Sequence, residues 1–538
     1  MKKLVSRFMA VLMAMVMILS MSMTAFAADA PKGTLTVNNT VAGKTLDLYQ
    51  IFTATKSGDN VAYTLNSAYE GFFQSKISGA SALTGEALSE KAYAYVKDQV
   101  GRDGSNGAAF AKDIMGWILS ASGETKTAVE STHSTANTAD TKTVIDNLAY
   151  GYYVVYPLGA TDTSTAPGDE TVKSVASLVS VTGIDATVNM KSNYPTVVKK
   201  VNEKNADDVN IGDEVTYTLT SKVPDMTGYT SYVFNFKDTL SAGLTFKEIT
   251  SVKVGDTTIT KVEAGQEAND TYTLTQTQDG QNITITMNNF LASNANNTGK
   301  EIKVTYTATL NKDAVTGFDA NKNSATVEYS NKPGTDNKGE SEPSIVDVHT
   351  FDFTIFKYYL KDATKTGLAD AEFELYKAKG DVAGDKVNIK KVVDGEYRVA
   401  TSEEAAAGGF KSDVIVSGTD GKVLVKGLDA GTYYLRETKA PAGYNKLLSD
   451  IKVEIKATYG ENGKLESYTV DYTYNGNKTT GTAITDKDNS PEVAVENKTG
   501  AQLPSTGSKG ALMVTLAGIV LFGALTASKA FGKKKANN

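Results

Sequence analysis

Tyr433-Tyr434-Leu435-Arg436-Glu437-Thr438-Lys439-Ala440-Pro441-Ala442-Gly443-Tyr444 begins as a strand and ends as a turn. Apolar side chains alternate along its first half, and Pro441 and Gly443 then stop the run. Successive side chains of a strand point to opposite faces. Glu437 therefore shares a face with Tyr433 and Leu435. The same parity in Phe353-Thr354-Ile355-Phe356-Lys357 sets Lys357 with Phe353 and Ile355. In Val493-Ala494-Val495-Glu496-Asn497 it sets Asn497 with Val493 and Val495. If these faces form a core, an amine, an acid and an amide all point inward. Burying such groups is costly unless they satisfy one another.

Chemistry offers a way to satisfy them. A lysine ε-amine held against an asparagine side-chain carbonyl can attack it and expel ammonia, leaving an isopeptide bond. Burial lowers a lysine pKa, so the amine can be the neutral nucleophile. Burial raises a carboxyl pKa, so a protonated acid can polarise the amide and shuttle protons. The fold supplies the proximity.

The twelve-residue stretch resembles the E-box of Cna-B-type domains in Gram-positive pilins. Leu368-Ala369-Asp370-Ala371-Glu372-Phe373-Glu374-Leu375-Tyr376 is similar to that family as well. The resemblance implies a bond between Lys357 and Asn497, with Glu437 as its catalyst.

Residues 192–345 repeat the logic with other residues. Val197, Lys199 and Val201 share a face, so Lys199 points in and Lys200 out. Asn323 has the parity of Ala325, Val327 and Tyr329, and Asp238 falls in the row of Phe234, Phe236 and Leu240. Residues 195–201, Phe236-Lys237-Asp238-Thr239-Leu240 and Asn323-Ser324-Ala325-Thr326-Val327 resemble the fimbrial isopeptide-forming domain of backbone pilins. The implied set is Lys199, Asp238 and Asn323. Lys200 stays open as the alternative nucleophile, and Asp238 as a simple turn or cap residue. Each bond would tie a domain's first strand to its last. By loop entropy such a closure stabilises by roughly 4–5 kcal/mol. Pulling force would then run through covalent bonds.

Residues 28–191 read differently. Leu35-Thr36-Val37 and Leu46-Asp47-Leu48-Tyr49-Gln50-Ile51-Phe52 are strand-like. Ala92, Tyr95 and Val96, then Ile114, Trp117 and Ile118, have helical spacing and predict helices over 86–100 and 108–119. Strands return at 152–156 and 174–189. The opening strand carries no Lys, and Lys44 lies in a turn without a clear amide partner, so no isopeptide bond is expected here. In related shaft pilins a lysine at the end of the first domain, in a Tyr-Pro-Lys context, accepts the neighbouring subunit's threonine. Here the order is Met190-Lys191-Ser192-Asn193-Tyr194-Pro195, which implies Lys191 but departs from the usual motif. Lys173 and Lys200 are the alternatives.

The two ends are address labels. Lys2, Lys3 and Arg7 precede an apolar stretch, and Ala25-Phe26-Ala27 offers small residues to a signal peptidase. Residues 1–27 are read as a signal peptide. Residues 501–538 hold Leu503-Pro504-Ser505-Thr506-Gly507, an apolar run long enough to span a bilayer, and Lys533-Lys534-Lys535. This order resembles the LPxTG sorting signal, which a sortase cuts between Thr506 and Gly507, joining the Thr carboxyl to an amine.

Composition narrows the remaining classes. The chain has 538 residues, too many for one core, and three domains are the prior. The net charge of −7 is spread along the chain, with no basic stripe for nucleic acid. There is no Cys, so disulfides cannot toughen an exported chain. With only His133 and His349, no zinc site and no cofactor are expected, and both histidines are read as surface or loop residues. Neither a nucleophile elbow nor a phosphate loop occurs, so the chain is not read as an enzyme.

The expected fold is mainly β: tandem immunoglobulin-like or Cna-B-type β-sandwiches, the first with a helical insertion. The expected units are a pilin domain (28–191), an isopeptide-forming fimbrial domain (192–345) and a Cna-B-type, prealbumin-like domain (346–500). The resemblance implies a shaft subunit that is secreted, held transiently by its C-terminal helix, then anchored to the cell wall. Its implied partners are pilus-specific and housekeeping sortases, other copies of itself, ancillary pilins and peptidoglycan. The alternative is a monomeric wall-anchored adhesin, or a tip or base pilin, binding a host or matrix ligand.

Overall fold

The computed structural model describes residues 31–101, 106–119, 129–137, 139, 141–161, 175–190 and 194–500. The signal segment, Lys173, Lys191, and the motif from Leu503 to Gly507 with its apolar run lie outside the described residues. Among the described residues no helix is long and apolar enough to cross a membrane.

Three mainly β units follow one another. In the first, the strand Thr45–Ser57 is buried on both faces, which is why its sequence reads as a nearly continuous apolar run. Leu46 and Leu48 pack towards Leu35 and Val37 of the strand Lys32–Asn38. Tyr49 and Ile51 face the helices Glu70–Lys76, Gly85–Val100 and Gly107–Leu119. The two longer helices match the periodicity. Glu70–Lys76, which buries Phe72 and Phe73, is too short to show a period. The single strand expected over 174–189 is two. Ser177–Val181 joins the larger sheet and Ala186–Asn189 the smaller, because the chain turns at Gly183.

The second unit is a β-sandwich. One sheet has five strands, with Val198–Val201 at its edge beside Glu214–Lys222. The facing sheet sets Asn321–Ser330 between Phe234–Leu240 and Ser344–His349. Tyr217, Phe234, Phe236, Tyr306 and Val327 are fully buried between them. The strand Ser344–His349 carries this sheet beyond residue 345, so the boundary expected at 345/346 falls inside a strand.

In the third unit the opening strand Phe351–Lys361 lies between Lys422–Leu428, antiparallel, and the closing strand Glu492–Glu496, parallel. The opposite sheet contains Glu372–Lys379, Gly431–Lys439, Ile451–Tyr459 and Leu465–Tyr474. The apolar cores of the second and third units are continuous. Their junction is also tied by polar contacts. Asp208 Oδ1 accepts from the Ala430 amide at 2.6 Å, and the Ile211 amide donates to the Gly427 carbonyl at 3.0 Å. Gly427 has φ +90°, and a Cβ there would sit 2.6 Å from Ile211 Cδ1. The histidine expectation is corrected for His349, which ends a strand and, 3% exposed, is buried at this junction; His133 is half-buried in the strand His133–Ala136. The His349 strand ends against Phe351, and burial there lowers the imidazole pKa.

Candidate functional site: two buried clusters of lysine, acid and asparagine

In the third unit, Lys357 lies on the inward face of the opening strand, opposite Val495 of the closing strand. Asn497 follows two residues on, and its amide N–H donates to the Tyr358 carbonyl at 2.9 Å, which fixes the end of the closing strand. Glu437 reaches in from the facing sheet. The Lys357 and Glu437 side chains are wholly shielded from solvent, with Nζ 2.9 Å from Oε1. That contact is an ion pair without hydrogen-bond alignment. Glu437 Oε2 accepts from the Leu447 amide at 2.7 Å and from Asn497 Nδ2 at 3.5 Å. Asn497 Nδ2 also donates to the Asn445 carbonyl at 2.7 Å. The loop after the Pro441 turn thus closes over the cluster. Burial lowers the Lys357 pKa, against the pull of Glu437.

In the second unit the cluster spans the two sheets. Lys199, on the edge strand opposite Leu219, meets Asp238 from the facing sheet, and Asn323 of that sheet joins the cluster through Tyr306. The Lys199 amide is pinned to Ser344 Oγ at 2.9 Å. Lys199 Nζ is hydrogen-bonded to Asp238 Oδ2 and lies 2.8 Å from Tyr306 Oη. The same hydroxyl donates to Asp238 Oδ2 at 2.9 Å and accepts from Asn323 Nδ2 at 2.7 Å. Tyr217 stacks on Tyr306, with ring centres 5.1 Å apart. Desolvation lowers the Lys199 pKa to about 8, outweighing the attraction of Asp238. It also raises the pKa of Asp238. Both shifts favour a neutral amine beside a neutral acid.

The side-chain carbonyl oxygens of Asn323 and Asn497 have no hydrogen-bond partner, nor does Asp238 Oδ1. Unpaired buried polar atoms are costly, so the two clusters are stores of unfavourable free energy.

The structure gathers each predicted trio in one place. Lys200, the alternative nucleophile, points away and meets Asn205 Oδ1 at the exposed surface. Asp238 stands mid-strand, not in a turn. Sequence reasoning missed Tyr306, which reads as one more apolar residue in the buried row Ile302, Val304, Tyr306 and Ala308. The available signal was a phenol on the same inward rows as a lysine and an acid. Lys44 does have partners, in the second unit: it donates to the Glu340 carbonyl at 3.0 Å and to Tyr329 Oη at 3.3 Å.

Two family models match these units. Residues 355–468 match the SpaA prealbumin-like fold domain, and residues 211–333 match the Gram-positive pilin backbone subunit 2, Cna-B-like domain. The second unit is thus similar to a Cna-B-like domain of Gram-positive pilin backbones, and the third to a SpaA prealbumin-like domain. The chain is 29% identical to the fimbrial subunit type 2 of Actinomyces naeslundii over 48% of its own length and 50% of that protein. It is 26% identical to the trypsin-resistant surface T6 protein of Streptococcus pyogenes serotype M6, over 52% of its length and 50% of that protein. The chain thus spans about half the length of the curated relatives it matches. Among solved structures, the T6 backbone pilin of S. pyogenes aligns with 89% of this chain and 100% of its own, at 15% identity and a TM-score of 0.47.

Proposed function

We propose that this chain is a shaft subunit of a covalently polymerised surface pilus, and that each buried cluster closes into a Lys–Asn isopeptide bond. The observation that carries the reading is the pair of solvent-free clusters, each holding a lysine amine, a carboxyl and an asparagine amide. In each, the neutral amine attacks the asparagine Cγ. The Nζ–Cγ bond forms, the Cγ–Nδ2 bond breaks, and a proton travels from Nζ to Nδ2, which leaves as ammonia. Glu437 and Asp238 carry that proton and end as they began. Once bonded, neither lysine is a buried charge.

The third-unit bond joins neighbouring strands of one sheet, while the second-unit bond joins the two sheets. Load entering at one end of either unit then passes through covalent links, a role disulfides cannot fill in a chain without Cys. Polymerisation follows from the C-terminal motif: a sortase cuts after Thr506 and transfers its carboxyl to Lys191 of the next copy. A housekeeping sortase joins the last subunit to peptidoglycan, and ancillary pilins complete the fibre.

The test is an immunoblot of wall extracts boiled in detergent, from cells carrying the wild type and Lys191→Ala. The reading expects a high-mass ladder that collapses to monomer in the variant. A single wild-type band would replace the shaft reading with a monomeric anchored adhesin. A ladder that survives the substitution keeps the pilus and moves the link to another lysine.

A further inference from the structure

The two clusters differ in one respect that bears on their chemistry. In the third unit the acid touches both reacting groups itself, since Glu437 lies against Lys357 Nζ and Asn497 Nδ2. In the second unit Asp238 contacts the amine through Oδ2, while its other oxygen has no hydrogen-bond partner. The Asn323 amide nitrogen instead donates to Tyr306 Oη, and that hydroxyl donates to Asp238. A proton that Asp238 takes from the amine therefore needs one more carrier to reach the leaving nitrogen.

We propose that Tyr306 is a catalytic residue of the second-unit bond, its hydroxyl relaying the proton between Asp238 and the departing Asn323 nitrogen. This rests on the isopeptide reading above. As Lys199 Nζ bonds to Asn323 Cγ, the carbon becomes tetrahedral and Nδ2 regains a basic lone pair. Tyr306 gives its proton to Nδ2 and takes one from Asp238, which has received the proton shed by Nζ. Ammonia leaves, the Cγ carbonyl re-forms, and phenol and acid are restored. The relay needs a hydroxyl that is not lost to ionisation. Burial, with Asp238 alongside, holds the Tyr306 pKa well above that of a free phenol. The stacked Tyr217 ring fixes the orientation of Tyr306, while the Tyr217 hydroxyl lies beside Asn323 but makes no hydrogen bond to Asp238 and so cannot join the acid to the leaving nitrogen. The neighbouring phenol is therefore an internal control.

The experiment follows bond formation in freshly synthesised full-length chain by peptide mapping. It counts Lys199–Asn323 cross-linked peptide against free Asn323 peptide over time, for wild type, Tyr306→Phe and Tyr217→Phe. Tyr306→Phe should slow closure about a hundredfold, the low end of what a positioned proton carrier contributes. Tyr217→Phe should close at the wild-type rate. Equal rates for Tyr306→Phe and wild type, or equal slowing by both variants, would overturn the relay. Should Tyr306→Phe fail to fold, seen as loss of the Lys357–Asn497 bond and of near-ultraviolet dichroism, 3-fluorotyrosine at position 306 takes its place. It keeps the hydroxyl and makes it more acidic. A changed closure rate supports the relay and an unchanged one rejects it. If the wild type itself forms no cross-linked peptide, the isopeptide reading fails first, and the two failures stay distinct.

Discussion

Lys357 Nζ lies 2.9 Å from Glu437 Oε1, and neither side chain has any exposure to water. An ion pair so placed gains little over an apolar pair and loses much if one partner is removed. Its persistence in a sandwich core is explained if the pair is a reactant complex. Glu437→Ala should leave the Lys357–Asn497 bond unformed while the second unit closes normally. The third unit would lose roughly 4–5 kcal/mol of loop-closure stabilisation, on the order of 10 °C or more in Tm for a domain of this size. Peptide mapping and thermal melts check both halves. A variant that keeps the cross-link removes Glu437 from its role.

Gly421 shows how closely the backbone is fitted to that site. It has φ +80°, and a Cβ there would fall 2.2 Å from the Lys357 carbonyl oxygen. Gly421→Ala therefore has to displace the strand that carries the nucleophile, at a cost of about 1–3 kcal/mol. The expected result is slowed closure of the third unit with unchanged closure of the second. Equal rates in both units would show that the strand absorbs the methyl group.

How much of this was legible in the sequence depends on which direction is asked about. Alternation along a strand tells which side chains point inward, and Lys199, Asp238, Asn323, Lys357, Glu437 and Asn497 are all buried. Alternation says nothing about which inward groups meet across the sandwich. Tyr306 could therefore be placed on an inward row but not recognised as their partner. His349 was misread because residue type alone does not tell burial; here the strand runs into the junction and the two cores merge. The helix Glu70–Lys76 was missed because seven residues are about two turns.

The pH dependence of an unbonded second unit follows from Lys199. Its pKa is about 8 in the fold against 10.5 for a free lysine. Between those values the unfolded chain binds more protons than the folded one, so stability rises as pH rises through that window. Asn323→Ala, which cannot form the bond, should therefore gain Tm relative to wild type between pH 8 and about 10. The wild type, whose Nζ would be an amide nitrogen, lacks this titration. Parallel curves for the two proteins would contradict the assignment.

Glu404 is one source of acid sensitivity, beside Asp471, whose carboxylate is held by Lys456 and Lys478. The Glu404 carboxylate is held by Arg398 in two hydrogen bonds, each 2.7 Å, and accepts from the Thr401 amide in a capping box. The Arg398 bonds, with the Thr401 amide, depress its pKa from 4.5 to about 2. A depressed carboxyl stabilises the fold above its unfolded pKa, and that contribution is lost as pH falls through the folded value. Glu404→Gln should cost about 1–3 kcal/mol at neutral pH. The gap to wild type should close as pH falls from 4.5 through about 2. Melts across that range decide it; a gap that persists at the acid end would mean packing, not charge, is at stake.

The most direct test of the covalent account is the intact mass of the chain isolated from cells lacking sortase activity, with its N-terminus fixed by sequencing. The account predicts a mass short of the sequence by two molecules of ammonia, with Lys199 joined to Asn323 and Lys357 to Asn497. A mass equal to that of the sequence would contradict it, leaving two buried, hydrogen-bonded triads and no covalent frame.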